Sequence, residues 1–145
     1  MENLRWPQLS EDELTAFLGN GGTGVISFST SSDDSPYSMP VSYGFNTDVK
    51  HFHFRLAFPP GSEKETLVTQ PVSFVTHDRT DAGWRSVIAR GRLRETGEAA
   101  IDSSIVEAIR RINIPFFTVF DRPARELDFE LFRLAPEDLT GHKQT

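Results

Sequence analysis

The chain has 145 residues, no cysteine, and a net charge of -6 from 21 acidic and 15 basic residues. This length predicts a single domain spanning residues 1–145 with a substantial hydrophobic core. The lack of cysteine excludes disulfides, thiolate catalysis and cysteine-bound metal centres. The negative charge disfavours nucleic acid and anionic membranes as partners. No run is long enough to span a membrane, and the acidic N-terminus lacks a secretory signal, so we expect a cytoplasmic protein.

The first predicted element is a helix over residues 10–18. Ser10 is a good N-cap, Glu13 stands where a capping box requires a carboxylate, and Gly19 supplies a stop. The glycine-rich stretch "GNGGTG" (19–24) precedes a strand and does not join a strand to a helix. It is therefore predicted to be a loop with no phosphate-binding role.

Three strands follow. "VISFST" (25–30) and "PYSMPVSYGF" (36–45) form a predicted hairpin, and Pro40 marks the second strand as an edge or as a place where a ligand replaces a ladder partner. "VKHFHFRLAF" (49–58) alternates with period two. Its core face is predicted to carry Phe52, Phe54 and Leu56, and its polar face His51, His53 and Arg55.

The rest of the chain predicts a short helix from Ser62 to about Thr69, strands at 71–77 and 83–93, and an amphipathic helix within 97–115. "ARELDFELFRLAPEDLTG" (124–141) is predicted to close the chain as one edge strand. About six short strands with three helices indicate an antiparallel barrel with flanking helices.

A first candidate site lies after the third strand, in "RLAFPPGSEK". Arg55, Ser62 and Lys64 would place a guanidinium, a hydroxyl, an ammonium and a helix N-terminus close together, as in a phosphate site. The alternative is a helix capped by Ser62 and Glu65 with solvated charges. The residues alone favour neither interpretation.

The strand "GWRSVIARGRL" (83–93) mixes apolar and cationic residues on both of its faces. One face is predicted to carry Trp84, Ser86, Ile88, Arg90, Arg92 and Arg94, and the other Arg85, Val87, Ala89, Gly91 and Leu93. We expect the last three arginines to be solvated.

His51 and His53 are spaced as in strand metal sites, but no further ligand is placed near them by the sequence, so we expect surface histidines.

The order of "GTGVISFS", "PYSMPVSYGF", "HFHFRLAF", "GSEKETL", "QPVSFVTH" and "GWRSVIARGRL" resembles the pyridoxamine 5'-phosphate oxidase-like family of flavin-binding split barrels. The resemblance covers about residues 10–95, with a looser match in "APEDLTGHK". It implies a mainly β fold, a six-stranded antiparallel split barrel of Greek-key type with about three flanking helices. It also implies an obligate homodimer with FMN at its interface.

The resemblance further implies a set of cofactor contacts. Arg55, Ser62 and Lys64 would hold the phosphate, and the strand Met39, Pro40, Val41, Ser42 would run along the isoalloxazine edge. Ser86 would be a polar flavin contact flanked by Trp84 and Arg85, and "IPFFTVF" would come from the partner subunit.

The resemblance is incomplete at two points. The chain lacks a counterpart of the second phosphate site of true pyridoxamine 5'-phosphate oxidases, and Glu63 and Lys64 could exchange register at the phosphate position.

The expected function is a flavin-dependent oxidoreductase acting on a small molecule. No catalytic residue is assigned; Tyr43 and His53 are the candidates for acid–base work. The alternatives are a non-catalytic flavin-binding protein, a barrel that uses F420 or haem, and a metal-binding barrel built on His51 and His53.

Overall fold

A computed structural model describes residues 7–30, 33–58, 64–96 and 130–144. Seven strands and two helices lie in these residues. Six of the strands close into an antiparallel barrel in the order β1-β2-β3-β6-β5-β4. The seventh strand, β7, pairs with the first half of β5. The prediction of a mainly β, six-stranded antiparallel barrel is therefore confirmed, while its Greek-key designation and its three helices stay predictions.

Helix α1 spans Glu11–Leu18 and begins as the sequence predicts. The Ser10 hydroxyl accepts a hydrogen bond from the backbone N–H of Glu13, and the Glu13 carboxylate accepts one from the backbone N–H of Ser10. This capping box satisfies N–H groups that a helix start otherwise leaves without partners. Leu14 and Leu18 are buried, so α1 packs on the barrel through one face.

Strands β1 (Gly22–Phe28) and β2 (Tyr37–Asn46) form the predicted hairpin. Gly24 is required by close packing, since a Cβ at this position would lie 2.4 Å from the carbonyl oxygen of Val75 and 2.7 Å from the ring of Phe74. The glycine-rich stretch thus sets β1 tightly against its neighbour β4.

Strand β3 (His51–Leu56) pairs with β2 over Tyr43–Asn46. Its predicted core face is confirmed, because Phe52, Phe54 and Leu56 are all buried. Its polar face differs from the expectation of surface histidines: His53 is fully buried and only Arg55 is exposed. The interpretation of His53 as a surface residue is wrong.

Helix α2 covers one turn, Lys64–Leu67, of the predicted helix. Strands β4 (Pro71–Thr80) and β5 (Gly83–Glu95) then form a long hairpin. The two predicted faces of β5 are confirmed: its inner face carries the buried Val87, Ala89, Gly91 and Leu93. Arg90, Arg92 and Arg94 lie on the outer face and are exposed, as expected.

The C-terminal segment forms two strands where the sequence predicts one edge strand. β6 (Glu130–Leu134) lies between β3 and β5 and closes the barrel, and β7 (Asp138–Lys143) pairs with Arg85–Arg90 of β5. Pro136 stands between the two strands. The prediction of a single edge strand is wrong because it treats this break as part of one strand.

The barrel interior is dominated by aromatic rings. The ring centroid of Phe74 lies 4.9 Å from that of Phe54, 5.2 Å from that of Tyr43 and 5.4 Å from that of Phe52. All four rings are fully buried. Tilted and edge-to-face packing of this kind stabilises the core beyond the burial of apolar surface alone.

Two further predictions concern other parts of the chain. The amphipathic helix within 97–115 and the segment "IPFFTVF" lie outside the described residues. Among the residues that the structure describes, no helix has the length and apolar character needed to cross a membrane.

Candidate functional site

One edge of β2 is left without a strand partner, and we call it the open edge of β2. β1 pairs with β2 from Tyr37 to Tyr43, but β3 begins to pair with β2 only at Tyr43. Over Tyr37–Ser42, no strand of the described chain lies on the side opposite β1. Backbone N–H and C=O groups that face this side need other partners, which a ligand can supply.

Pro40 lies in the middle of this segment, opposite Val25 of β1. The sequence predicts either an edge strand or a place where a ligand replaces the ladder partner. β2 is an interior strand of the sheet, so it is not an edge along its whole length. It has an edge only over the residues around Pro40, which is where a proline is tolerated.

The side chains of the open edge divide between the two faces of the sheet. Met39 and Val41 point into the core and are buried, while Ser38 is exposed and Pro40 is half-buried on the other face. Ser42 shares the outer face but is buried. Met39 and Val41 can therefore meet a ligand only through their backbone atoms, as the resemblance implies.

Arg55 lies beside this edge. Phe54 pairs with Tyr43, so the next residue of β3, Arg55, lies next to Ser42 at the point where the β2–β3 ladder stops. The Arg55 side chain is exposed, and within the described residues it makes no ion pair. An exposed guanidinium at the end of a strand ladder fits a phosphate or carboxylate ligand.

The other predicted phosphate contacts are partly outside the structure. Ser62 and Glu63 lie outside the described residues, as does the side chain of Lys64, whose backbone begins α2. The register of Glu63 and Lys64 at the phosphate position therefore stays a prediction.

Within one chain, the open edge of β2 is not adjacent to Trp84, Arg85 or Ser86. They lie at the start of β5, and β4 and β1 separate β5 from β2. Three interstrand steps correspond to about 14 Å. Trp84 and Ser86 face outward, and Trp84 is 47% exposed, but Arg85 faces the barrel end near α1.

Arg85 takes part in an ion-pair cluster that the sequence does not reveal. Its guanidinium lies 3.3 Å from the Glu13 carboxylate, and Lys143 Nζ lies 3.0 Å from the same carboxylate. The hydrogen bond from the Ser10 backbone and the contact with Lys143 lower the pKa of Glu13 to about 2. Glu13 thereby connects α1 to both β5 and β7.

The histidines of β3 do not form a recognisable metal centre. Among the described residues, no group of three or more histidines and carboxylates is placed to hold a metal ion. Burial, together with the nearby charge of Arg133, lowers the pKa of His51, so this side chain is neutral near neutral pH.

Tyr43, one of the two acid–base candidates, lines the barrel interior. Burial raises the pKa of its phenol to about 12, and the Thr76 hydroxyl is its hydrogen-bond partner. Thr76 in turn donates to the backbone carbonyl of Thr23 over 2.7 Å. Tyr43 is therefore a neutral hydrogen-bonding group near neutral pH.

A pocket of about 870 Å³ lies where α1 packs on the barrel, and we call it the α1 pocket. Its walls are the end of α1, the glycine-rich stretch, and the hairpin between β4 and β5. The lining includes Phe17, Tyr43, Thr76, Asp78, Asp81 and Ala82. The prediction of a loop over the whole glycine-rich stretch is wrong for Gly22–Gly24, which belong to β1. The pocket itself has no local sequence signature, because it forms by packing against a hairpin far away in the chain.

Comparison with known proteins identifies the family. The family model described as "Pyridoxamine 5'-phosphate oxidase" matches residues 10–143, so the chain belongs to the pyridoxamine 5'-phosphate oxidase-like family. The resemblance inferred from the order of the strands is thereby confirmed. No match was found among curated proteins.

Solved structures share the fold. The FAD binding protein from Mycobacterium smegmatis is 20% identical, with a TM-score of 0.60 over 95% of this chain and 99% of that one. An FAD-binding protein from Mesorhizobium loti is 20% identical, with a TM-score of 0.64 over 98% of this chain and 100% of that one. The FAD and heme binding protein from Mycobacterium smegmatis is 15% identical, with a TM-score of 0.63 over 94% of this chain and 73% of that one.

Proposed function

We propose that this protein binds a flavin nucleotide along the open edge of β2 and acts as a flavin-dependent oxidoreductase on a small molecule. The observation that carries the proposal is the exposed Arg55 guanidinium, which makes no ion pair within the described residues, beside the stretch Tyr37–Val41, which has no strand partner opposite β1 in the described chain. Family membership and the names of two structural neighbours as FAD-binding proteins support the choice of a flavin.

The residues present fit such a cofactor. Arg55, together with Ser62 and Lys64, would bind the phosphate through charge-assisted hydrogen bonds. The backbone of Met39, Pro40, Val41 and Ser42 would hold the edge of the ring system. When bound, the flavin supplies hydride or single-electron transfer, and the protein supplies orientation and a water-poor surface.

We also propose that the protein works as a homodimer. The outer face of the sheet carries Val25 and Val75, which are 44% and 36% exposed, and Trp84, which is 47% exposed. Apolar groups of this size on one sheet face favour burial against a second copy. Such a dimer would bring Trp84 and Ser86 of one subunit to the open edge of the other, with Arg85 as their neighbour.

The first test is the double variant Arg55→Ala/Lys64→Ala. We expect FMN to bind about 100-fold more weakly, because loss of two charge-assisted contacts to phosphate costs on the order of 3 kcal/mol. Riboflavin, which has no phosphate, should bind wild type and variant equally. Flavin fluorescence quenching gives both dissociation constants.

The matched control is Lys50→Ala/Arg79→Ala, which removes the same charge from the α1 end of the barrel. It should leave FMN affinity unchanged. Retained FMN affinity in the Arg55/Lys64 variant, or an equal loss in the control, would show that the phosphate is bound elsewhere.

The identity of the cofactor is read from the purified protein. An absorbance spectrum distinguishes a flavin from F420 or haem, and chromatography of the released cofactor distinguishes FMN from FAD. We expect FMN. Turnover with reduced nicotinamide and an artificial electron acceptor then separates an oxidoreductase from a non-catalytic flavin-binding protein.

A further inference from the structure

The α1 pocket is distinct from the open edge of β2. Its strand residues are the start of β1, the end of β4, the start of β5, and Tyr43, whose ring points into the barrel. The open edge runs along the other part of β2, over Tyr37–Ser42. Apart from the boundary residue Tyr43, the two regions share no residue.

The pocket has the size and lining of a small-molecule site. Its volume of about 870 Å³ lies within the range of such sites, about 300–1,000 Å³. The half-buried ring of Phe17 provides aromatic surface, Ala16 and Ala82 are small and exposed, and the buried Tyr43 forms the floor. Tyr43 is held in place by Thr76 and by edge-to-face packing on Phe74, so this part of the lining is formed before a ligand arrives.

The charged residues that line the pocket favour a ligand with a positive charge. The Glu13 carboxylate pairs with both Arg85 and Lys143, so this cluster carries one net positive charge. Asp78 and Asp81 stand at the rim, and neither makes an ion pair with the residues that the structure describes. The two aspartates outweigh the single net positive charge of the Glu13 cluster, so the pocket presents excess negative charge beside the half-buried ring of Phe17, an arrangement that attracts organic cations.

We propose that the α1 pocket binds a small organic cation with a flat apolar body, of which an arylalkylammonium ion is the simplest example. The apolar body would pack against the half-buried ring of Phe17 and against Ala16 and Ala82. The ammonium group would lie toward Asp78 and Asp81. This site is independent of flavin binding at the open edge of β2.

The test uses three probes with one aromatic body and different charge: 2-phenylethylammonium, 2-phenylethanol and 3-phenylpropanoate. Calorimetry on the wild-type protein should rank the cation first and the anion last, with at least about a tenfold difference between them. Equal affinities for the cation and the anion would overturn the proposal.

Two variants locate the binding. Asp78→Asn/Asp81→Asn should weaken binding of the ammonium about tenfold and leave 2-phenylethanol unchanged. Ala82→Trp should block all three probes, because it fills the pocket from the exposed hairpin turn. Undiminished binding to Ala82→Trp would place the probe elsewhere and reject the assignment.

The controls are Asp33→Asn/Asp48→Asn and Ala135→Trp, which make the same chemical changes at exposed positions outside the pocket lining. Both should bind the probes as wild type does. FMN affinity, measured on the same variants, should stay at the wild-type value. Failure of this proposal and failure of flavin binding are therefore separate outcomes.

Discussion

The α1 end of the barrel and the open edge of β2 satisfy their polar groups in opposite ways. At the α1 end, the carboxylate of Glu13 is held by the Ser10 backbone, Arg85 and Lys143, and three elements are joined. At the open edge, the β2–β3 ladder stops and Arg55 makes no ion pair within the described chain. The first region uses its charges for structure, and the second has charge and backbone available for a ligand.

The largest effect that we expect is on the free energy of unfolding, which tight packing at Gly24 and open structure at Pro40 should make unequally sensitive to substitution. Gly24→Val should lower the free energy of unfolding by about 3 kcal/mol, because the new side chain meets the Val75 carbonyl and the Phe74 ring. Pro40→Ala, at the open edge, should change it by no more than about 1 kcal/mol. Urea denaturation measures both, and similar losses would mean that the two regions are equally tightly packed.

The ion-pair cluster gives a pH-dependent prediction. In the folded protein the pKa of Glu13 is about 2, below its ordinary value of 4.5, so the carboxylate stabilises the fold above pH 4.5. This contribution is lost as the pH falls from 4.5 toward 2. Glu13→Gln keeps an acceptor for the Ser10 N–H but removes the charge, so the variant should melt at a lower temperature than wild type at neutral pH.

The melting-temperature difference between wild type and Glu13→Gln should shrink as the pH approaches 2. Glu11→Gln is the matched control, because Glu11 pairs with Lys50 at the surface and its side chain is 79% exposed. Its effect should be at most about 0.5 kcal/mol. A pH-independent difference for Glu13→Gln would show that its charge does not contribute to the cluster.

The smallest effect concerns the turn between β2 and β3. Lys50 has a φ of 59°, a left-handed conformation that costs most residues energy and glycine little. Lys50→Gly should raise the free energy of unfolding by about 0.5 kcal/mol, after the entropy cost of glycine is subtracted. Urea denaturation would detect this gain, and a loss would indicate that the surface pair with Glu11 outweighs the strain.

Local patterns predicted much of this fold. The capping box of α1, the β1–β2 hairpin and the two faces of β5 follow from residue spacing, which acts over a few positions. The insertion of β6 between β3 and β5 did not follow, because it joins segments far apart in the chain. The burial of His53 was missed for the same reason: alternation shows which face a residue occupies, not what covers that face.

In the candidate site, too, contacts between neighbouring strands differ from contacts between residues far apart in the chain. Ser42 and Arg55 lie side by side where the β2–β3 ladder stops, and the role of Met39–Ser42 and Arg55 as cofactor contacts stays a prediction. The contact between Arg85 and Glu13 joins residues 72 positions apart, and that between Lys143 and Glu13 joins residues 130 positions apart. No spacing rule connects such residues, so neither the ion-pair cluster nor the α1 pocket was predicted.

The position of β6 also determines when the protein can finish folding. β6 comes after β1–β5 in the chain, yet it is the strand that joins β3 to β5. During synthesis, a chain that has not reached residue 130 has two exposed strand edges and cannot close its barrel. Strand edges of this kind are sites of intermolecular pairing, and β6 covers both of them in the closed barrel.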